Sequence, residues 1–192
     1  MMPQQIIGIS AKKQGGKTTM ANQLVKHIQG RVDMVCFADF LKQIVCTCFA
    51  GEHLSWVSVG ALDNETAKQS VTPSGKTFRQ LLQYVGTDVF RKLDPNCWVN
   101  AYRLAVSRKG LIMPDEFIIT PDVRFPNEVE AIHQMGGKVI RLTRAPFSEQ
   151  DQHESETALD DYAFFDLVCH NELMSIEEQE QWVKENLSRI IG

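Results

Sequence analysis

No stretch of this 192-residue sequence is long and apolar enough to span a bilayer. Its first residues, Met-Met-Pro-Gln-Gln-Ile-Ile-Gly-Ile, lack a basic region and hold a short apolar run, so neither a membrane partner nor a secretion signal is expected. Cysteine is sparse and badly placed for bridging. Cys36, Cys46, Cys48, Cys97 and Cys169 are odd in number and scattered, and no C-x-x-C occurs, which argues against a disulfide framework. Cys46 and Cys48 stand two apart in a predicted helix and so point to different sides, a poor arrangement for chelating a metal. The five read as reduced thiols filling small apolar positions, in a cytoplasmic compartment. Excess positive charge is missing too. The net charge is -4, so no global basic field exists to hold nucleic acid, while a local basic cleft for a small anion remains open. Internal repeats and low-complexity tracts are absent, which excludes solenoid and disordered architectures.

What is present is the ordinary balance of a globular protein, 43% apolar and 23% charged, at a length that fits one domain. Short apolar runs alternate with longer amphipathic segments. The runs 6–10, 34–38, 117–120, 138–143 and 165–169 are bounded by polar or turn residues and read as buried strands. Helical spacing follows at 17–29, where Met20, Ala21, Leu24, Val25 and Ile28 share a face, and at 40–49. A further helix is predicted at 77–92, with Phe78, Leu81, Leu82 and Val85 on one side. Another runs over 95–108 with Asp94 as N-cap, and another over 127–135, stopped by Gly136-Gly137. The last opens at Ser175 with Glu178 completing a capping box and ends near Ile190. Alternating strands and helices imply an α/β protein, three layers αβα, with a mostly parallel five-stranded sheet covered on both faces. The polar segment 51–75, with a short helix near 62–69, reads as an insertion over the sheet.

The stretch Gly8-Ile9-Ser10-Ala11-Lys12-Lys13-Gln14-Gly15-Gly16-Lys17-Thr18-Thr19 lies between a predicted strand and a predicted helix, the context a P-loop requires. Gly16-Lys17-Thr18 fit the G-x-x-x-x-G-K-[ST] pattern, while Ala11 takes the place of its first glycine. Alanine suits the turn if its φ is negative. Gly15 and Gly16 let backbone N–H groups surround phosphate oxygens, and the helix N-terminus behind them adds partial positive charge. Lys17 can reach the β- and γ-phosphates and the Thr18 hydroxyl can ligate Mg²⁺. Lys13, Gln14 and Thr19 complete the nucleotide-binding stretch, and Lys12 adds charge at its mouth.

A P-loop fold also uses an acid at the end of a neighbouring strand to orient the metal or its waters. Asp122 is placed there, at the end of the run 117–120, and Arg124 follows two residues later at the same edge. Taken alone, the pair also fits a helix N-cap and a surface arginine. Asp115-Glu116 precedes its strand and reads as a turn. No N-K-x-D occurs and no glycine lies three residues after Asp122, so the guanine-binding and switch signals of GTPases are lacking.

Five blocks then occur in order: Phe37-Ala38-Asp39-Phe40-Leu41-Lys42, 79–87 (RQLLQYVGT), 94–100 (DPNCWVN), Asp122-Val123-Arg124-Phe125-Pro126-Asn127-Glu128 and His153-Glu154-Ser155-Glu156. With the P-loop, and over nearly the whole chain from Ile6 to about Asn171, they resemble the phage-type deoxynucleoside monophosphate kinases, P-loop kinases related in fold to adenylate kinase. The resemblance implies ATP and Mg²⁺ at the P-loop and a monophosphate acceptor held opposite. It assigns Asp39 and Lys42 to the acceptor, with Arg79, Trp98, Arg124, Asn127 and Glu128 lining that pocket. A short lid is expected at 144–156, with Arg144 at its root as the candidate lid cation. If the chain is phage-encoded, its place is the host cytoplasm. The partners expected are nucleotides, and the oligomeric state stays open between monomer and homodimer.

The mechanism implied is in-line attack of an acceptor phosphate oxygen on the γ-phosphorus, with Lys17, Asp122, Arg124 and Arg144 as the catalytic set and Thr18 and Asp122 at the metal. An ionised acceptor phosphate needs no general base. Several residues keep two readings. Arg79 opens an amphipathic helix and serves the surface or the acceptor. Trp98 is spaced with Tyr102 as core or stacks on a base. Glu156 caps a helix with Glu154, and Arg141 is a buried pair or a ligand. Two other functions stay in contention: a P-loop kinase for another phosphorylated metabolite, and a nucleotide-binding ATPase or switch.

Overall fold

The computed structural model describes residues 5–50, 59–109, 116–145 and 153–192. The expected single domain packs as two compact units, one made of Met1–Cys36 with Leu104–Gly192 and the other of Phe37–Arg103.

The first unit holds the sheet. Five strands, β1 Gln5–Ser10, β2 Arg31–Met34, β3 Glu116–Thr120, β4 Lys138–Leu142 and β5 Leu167–Cys169, lie in the order β2-β3-β1-β4-β5 with every pairing parallel. Central β1 reads Ile-Ile-Gly-Ile without polar alternation because both its faces are covered. Ile7 and Ile9 point into a cluster with Met20 and Leu24 of α1 (Lys17–His27) and Val183 and Ile190 of α8 (Ile176–Ile191). Gly8, on the other face, lies against Ile132 of α6 (Pro126–Gln134) and Val139 of β4. Helices on both faces of a parallel sheet give the three-layer αβα arrangement of P-loop proteins. The register pairs Gly8 with Thr120 and Ser10 with Arg141, which brings the ends of β1, β3 and β4 to one edge.

Two strands differ from expectation. The predicted strand 34–38 forms earlier, as β2 at Arg31–Met34. β2 is an edge strand with half-exposed residues, so a search for apolar runs passes over Arg31 and Asp33 and stops on Val35 and Phe37, which are buried beyond it. Glu116, read as part of a turn, is the first residue of β3 and pairs with Arg31. β5 begins two residues late, where the Asp166 carboxylate accepts the Val139 N–H at 2.7 Å in place of a backbone carbonyl.

The second unit contains α2 (Asp39–Phe49), a 3₁₀ turn at Gly60–Asp63, α3 (Glu65–Gln69), α4 (Phe78–Gln83) and the start of α5 (Cys97–Arg108). Leu41, Val45, Leu62, Phe78, Leu81, Val85 and Trp98 form its core. The helix predicted over 77–92 changes type. After α4, opened by the Thr77–Gln80 capping box, residues Tyr84–Arg91 wind as a π-helix that buries Val85, Gly86 and Thr87. One apolar face fits both windings, so periodicity cannot separate them; π turns cluster at functional sites. Of the predicted insertion, 51–58 lies outside the described residues; the rest forms the 3₁₀ turn, α3 and a bridge between Val71 and Thr77.

α1 and α8 are joined at their surface by Glu180, whose carboxylate accepts from Lys26 Nζ at 2.8 Å and pairs with His27 Nε2 at 2.8 Å. Those hydrogen bonds, Lys26 first, hold the Glu180 carboxyl at about 2. A depressed carboxylate adds stability that is fully present above its unfolded value, about 4.3, and is lost as pH falls toward 2. Thermal melts from pH 5 to pH 2 should therefore show a shallower loss of Tm in Glu180→Gln than in wild type; parallel curves would remove this linkage. No described helix is long and apolar enough to cross a membrane.

Candidate active site

The chain leaves β1 at Ser10 and curls back before α1. Gln14 (φ 56°) and Gly16 (φ 95°) are left-handed, and the Gly15 N–H donates to Lys12 O at 3.0 Å. Among the described non-glycine residues Gln14 alone has positive φ, so Ala11 sits where a side chain costs nothing, and the position that would favour glycine is Gln14. Gly16 caps α1 without a side-chain acceptor, and no acid lies in the first turn. No N-cap side chain therefore takes the first N–H groups of α1, an arrangement that suits an anion. Lys17 Nζ donates to Ala11 O at 2.8 Å and Lys12 O at 3.1 Å, which poises it at the lip of the cup. Thr18 is exposed and Thr19 partly buried in the same turn.

Asp122 follows β3 at this edge, next to Val123, whose N–H donates to Ile9 O at 3.2 Å. A hydroxyl at Thr18 and a carboxylate at Asp122 are the hard oxygen donors that Mg²⁺ selects, and both stand at the sheet's carboxyl edge. Arg124 is pinned rather than free at the surface. Its Nη1 donates to Ser155 O at 3.1 Å and to the Glu156 carboxylate. Burial opposes its charge, but Glu156, Asp122 and Glu128 outweigh that and raise its pKa. Glu156 is buried; Arg124 and Lys17 overcome the cost and keep its carboxyl below the usual range.

Glu128 does not stand open to a ligand. It is 2% exposed, and its Oε2 accepts the N–H groups of Arg124 (2.7 Å) and Phe125 (3.2 Å), stapling the entry of α6. Asn127 is partly buried in that first turn. Arg144, expected as a lid cation, donates from Nε to Asn171 O at 3.0 Å and from Nη2 to Met174 O at 2.6 Å. Residues 146–152 of the expected lid lie outside the described residues, and α7 (Glu154–Thr157) closes its far end.

The other expected residues belong to the second unit. Lys42 is buried, bonded to Asp63 Oδ1 at 2.6 Å and 3.5 Å from Asp39 Oδ1. Arg79 pairs with Glu65. Trp98 is a core residue: its indole is 4% exposed, donates to Gly86 O at 2.9 Å and packs on Phe90, so it offers no open face to a base.

Three residues with work at the loop escaped the sequence reading or were given another role. Glu156 accepts the Lys13 N–H at 3.1 Å. Asn171, fully buried after β5, donates from Nδ2 to Gly15 O at 3.0 Å and accepts the Arg144 N–H at 2.9 Å. Lys12 bonds Glu156 O at 2.7 Å and pairs with Asp160. The H-E-S-E block marks Glu156, but a bond to a backbone N–H 143 residues away leaves no spacing signal. Beyond Asn171, His170, Glu172, Leu173, Met174 and Glu178 line an open hollow of about 510 Å³.

The family model described as deoxynucleotide monophosphate kinase matches residues 61–181. A protein of Acanthamoeba polyphaga mimivirus named "Putative deoxynucleotide monophosphate kinase" is 32% identical over 185 residues, 90% of this chain and 91% of its own. The ORF77 protein of Ictalurid herpesvirus 1 is 38% identical over 88 residues, 44% of this chain and 37% of its own. The crystal structure of TT1252 from Thermus thermophilus superposes with a TM-score of 0.51 at 17% identity, covering 98% of this chain and 99% of that one, a likeness of fold.

Proposed function

The chain belongs to the deoxynucleotide monophosphate kinase family, and we infer that residues 11–18 hold the terminal phosphates of its ATP donor. It is a phosphotransferase whose acceptor is a deoxynucleoside monophosphate. The observation that carries the donor site is the uncapped start of α1 behind a left-handed loop, with Lys17 held at its lip. A polyphosphate is the small ligand whose charge and oxygen count suit that cup. Gln14 and Gly16 supply backbone N–H groups, Lys17 the charge, and Thr19 the next turn of the helix, while Lys13 and Gly15, whose N–H groups go to Glu156 and Lys12 O, shape the loop.

The acceptor phosphate oxygen attacks the γ-phosphorus in line as the bond to the β-phosphate oxygen breaks, giving ADP and a deoxynucleoside diphosphate. Lys17 and Arg124 meet the charge spread over the transferring group, which is where preorganised donors act most strongly. Thr18 and Asp122 are the residues that would hold Mg²⁺, which when bound neutralises phosphate charge. Arg124 serves the acceptor phosphate, with Asn127 as a further acceptor contact on the strength of the shared sequence block. Glu128 contributes by fixing Arg124's backbone. Arg144, tied to the carbonyls of Asn171 and Met174, serves the donor side by bracing the segment that holds Asn171 against the loop.

ATP turnover measured with each of the four deoxynucleoside monophosphates and their ribose counterparts tests this reading. At least one deoxy substrate should yield ADP and diphosphate in equal amounts. ATP hydrolysis without a diphosphate product would overturn the acceptor assignment.

A further inference from the structure

The mechanism above leaves one buried charge unused, and it lies between two of the mechanism's own parts. Glu156 is 8% exposed and spends each carboxylate oxygen on a different partner. Oε1 takes Nη1 of Arg124, and Oε2 takes the Lys13 N–H of the phosphate loop at 3.1 Å. The backbone around it repeats the connection: Ser155 O accepts Arg124 Nη1 at 3.1 Å, and Glu156 O accepts Lys12 Nζ at 2.7 Å. Residues 155 and 156 thus touch both the loop and the arginine, through side chain and main chain alike.

We propose that Glu156 is a positioning residue for phosphoryl transfer, setting the guanidinium of Arg124 at a fixed place and orientation relative to the phosphate loop. The inference rests on the reading of Arg124 as an acceptor-phosphate group. A guanidinium is a planar fork of five donors, and the bonds of Arg124 to the described residues engage Nη1. Holding that one nitrogen aims the edge carrying Nε and Nη2 at an incoming phosphate, the bidentate geometry such anions prefer. In-line transfer punishes small displacements, and about 1 Å of misplacement costs about 10²-fold in rate. A carboxylate that fixes both loop and arginine removes that freedom before substrate arrives. A stability role alone would explain a buried pair, but not why the second oxygen of the same carboxylate is spent on the phosphate loop.

Glu156→Gln keeps the shape and one acceptor while removing the charge. Measured by coupled turnover, kcat should fall about 10- to 100-fold, with the KM for ATP changed less than about threefold, since Lys17 and the α1 N-terminus remain. The double variant with Arg124→Ala decides whether Glu156 acts through Arg124. Adding Glu156→Gln to Arg124→Ala should then cost about twofold or less, because residues acting as a unit are not additive. A kcat near wild type in Glu156→Gln, or losses that multiply in the double variant, would overturn the inference. Full turnover in Arg124→Ala would instead strike the acceptor assignment itself, and this inference with it. Should Glu156→Gln prove unfolded by circular dichroism, Glu156→Asp keeps the charge but is one methylene short of both partners. The same fall in kcat is expected there, and wild-type kcat would overturn the inference equally.

Discussion

Lys17→Ala will abolish most phosphoryl transfer while leaving the protein folded. The loss expected in kcat/KM is about 10³-fold or more, since one preorganised donor at a developing charge is worth about 10²–10³ and Lys17 also contributes to holding the donor. Its poise is visible: Nζ bridges the carbonyls of Ala11 and Lys12 at 2.8 and 3.1 Å, so the ammonium waits at the loop with its stem ordered. The core beneath is built from Ile7, Ile9, Met20 and Leu24, none of which contributes to the cup itself. The melting temperature should hence shift by no more than a few degrees. A second readout comes from Glu156. Lys17 is one of the charges that keep that carboxyl below its ordinary range, so its titration should move upward in the variant. Turnover near wild type in a folded Lys17→Ala would remove the donor site from this loop.

Much of the fold was legible because it is written in local terms. A buried parallel strand must be continuously apolar, so β1, β3 and β4 announce themselves, and caps such as Ser175–Glu178 fix where a helix starts. The turn between β1 and α1 was legible for the same reason, being one contiguous segment. What sequence reading missed is non-local or two-valued. Edge strand β2 is half-polar; the π-helix at Tyr84–Arg91 shares its apolar face with an α-helix; and Trp98 keeps a platform reading beside the commoner core one until Gly86 O is seen to accept its N–H. Arg144 is expected as a lid cation from the resemblance, and its bonds to the carbonyls of Asn171 and Met174 lie 27 and 30 residues away, where spacing gives no signal. Glu128 sat in a block that resembles an acceptor site, and its carboxylate closes a helix cap instead. Polar residues assigned by resemblance carry no sign of which partner they will find, and that partner decides their role.

Gly15→Ala should raise the KM for ATP by about tenfold or more, although it adds one methyl group to an otherwise tolerant-looking loop. Gly15 does not have a positive φ, so the objection is not backbone strain. It is space. A Cβ at Gly15 would come within 2.6 Å of Arg144 O and 3.0 Å of Lys12 O and the Ala11 Cβ. The first of these is a backbone carbonyl and cannot swing away as a side-chain tip would. Arg144 is fixed on both sides, its N–H on Asn171 Oδ1 at 2.9 Å and its guanidinium on the Asn171 and Met174 carbonyls. Asn171 in turn donates to Gly15 O at 3.0 Å, so pushing Arg144 outward pulls on the bond that holds the loop. The loop yields before the bracing does, because it has no core contacts of its own beyond Ala11. Opening it disperses the N–H groups that must converge on phosphate, and binding falls before the chemistry does. Equilibrium titration with ATP in the absence of acceptor separates the two. A weakened Kd beside a kcat within about threefold of wild type at saturation is the expected pattern; an unchanged Kd would mean that the Asn171–Arg144 brace gives way more easily than its three hydrogen bonds imply.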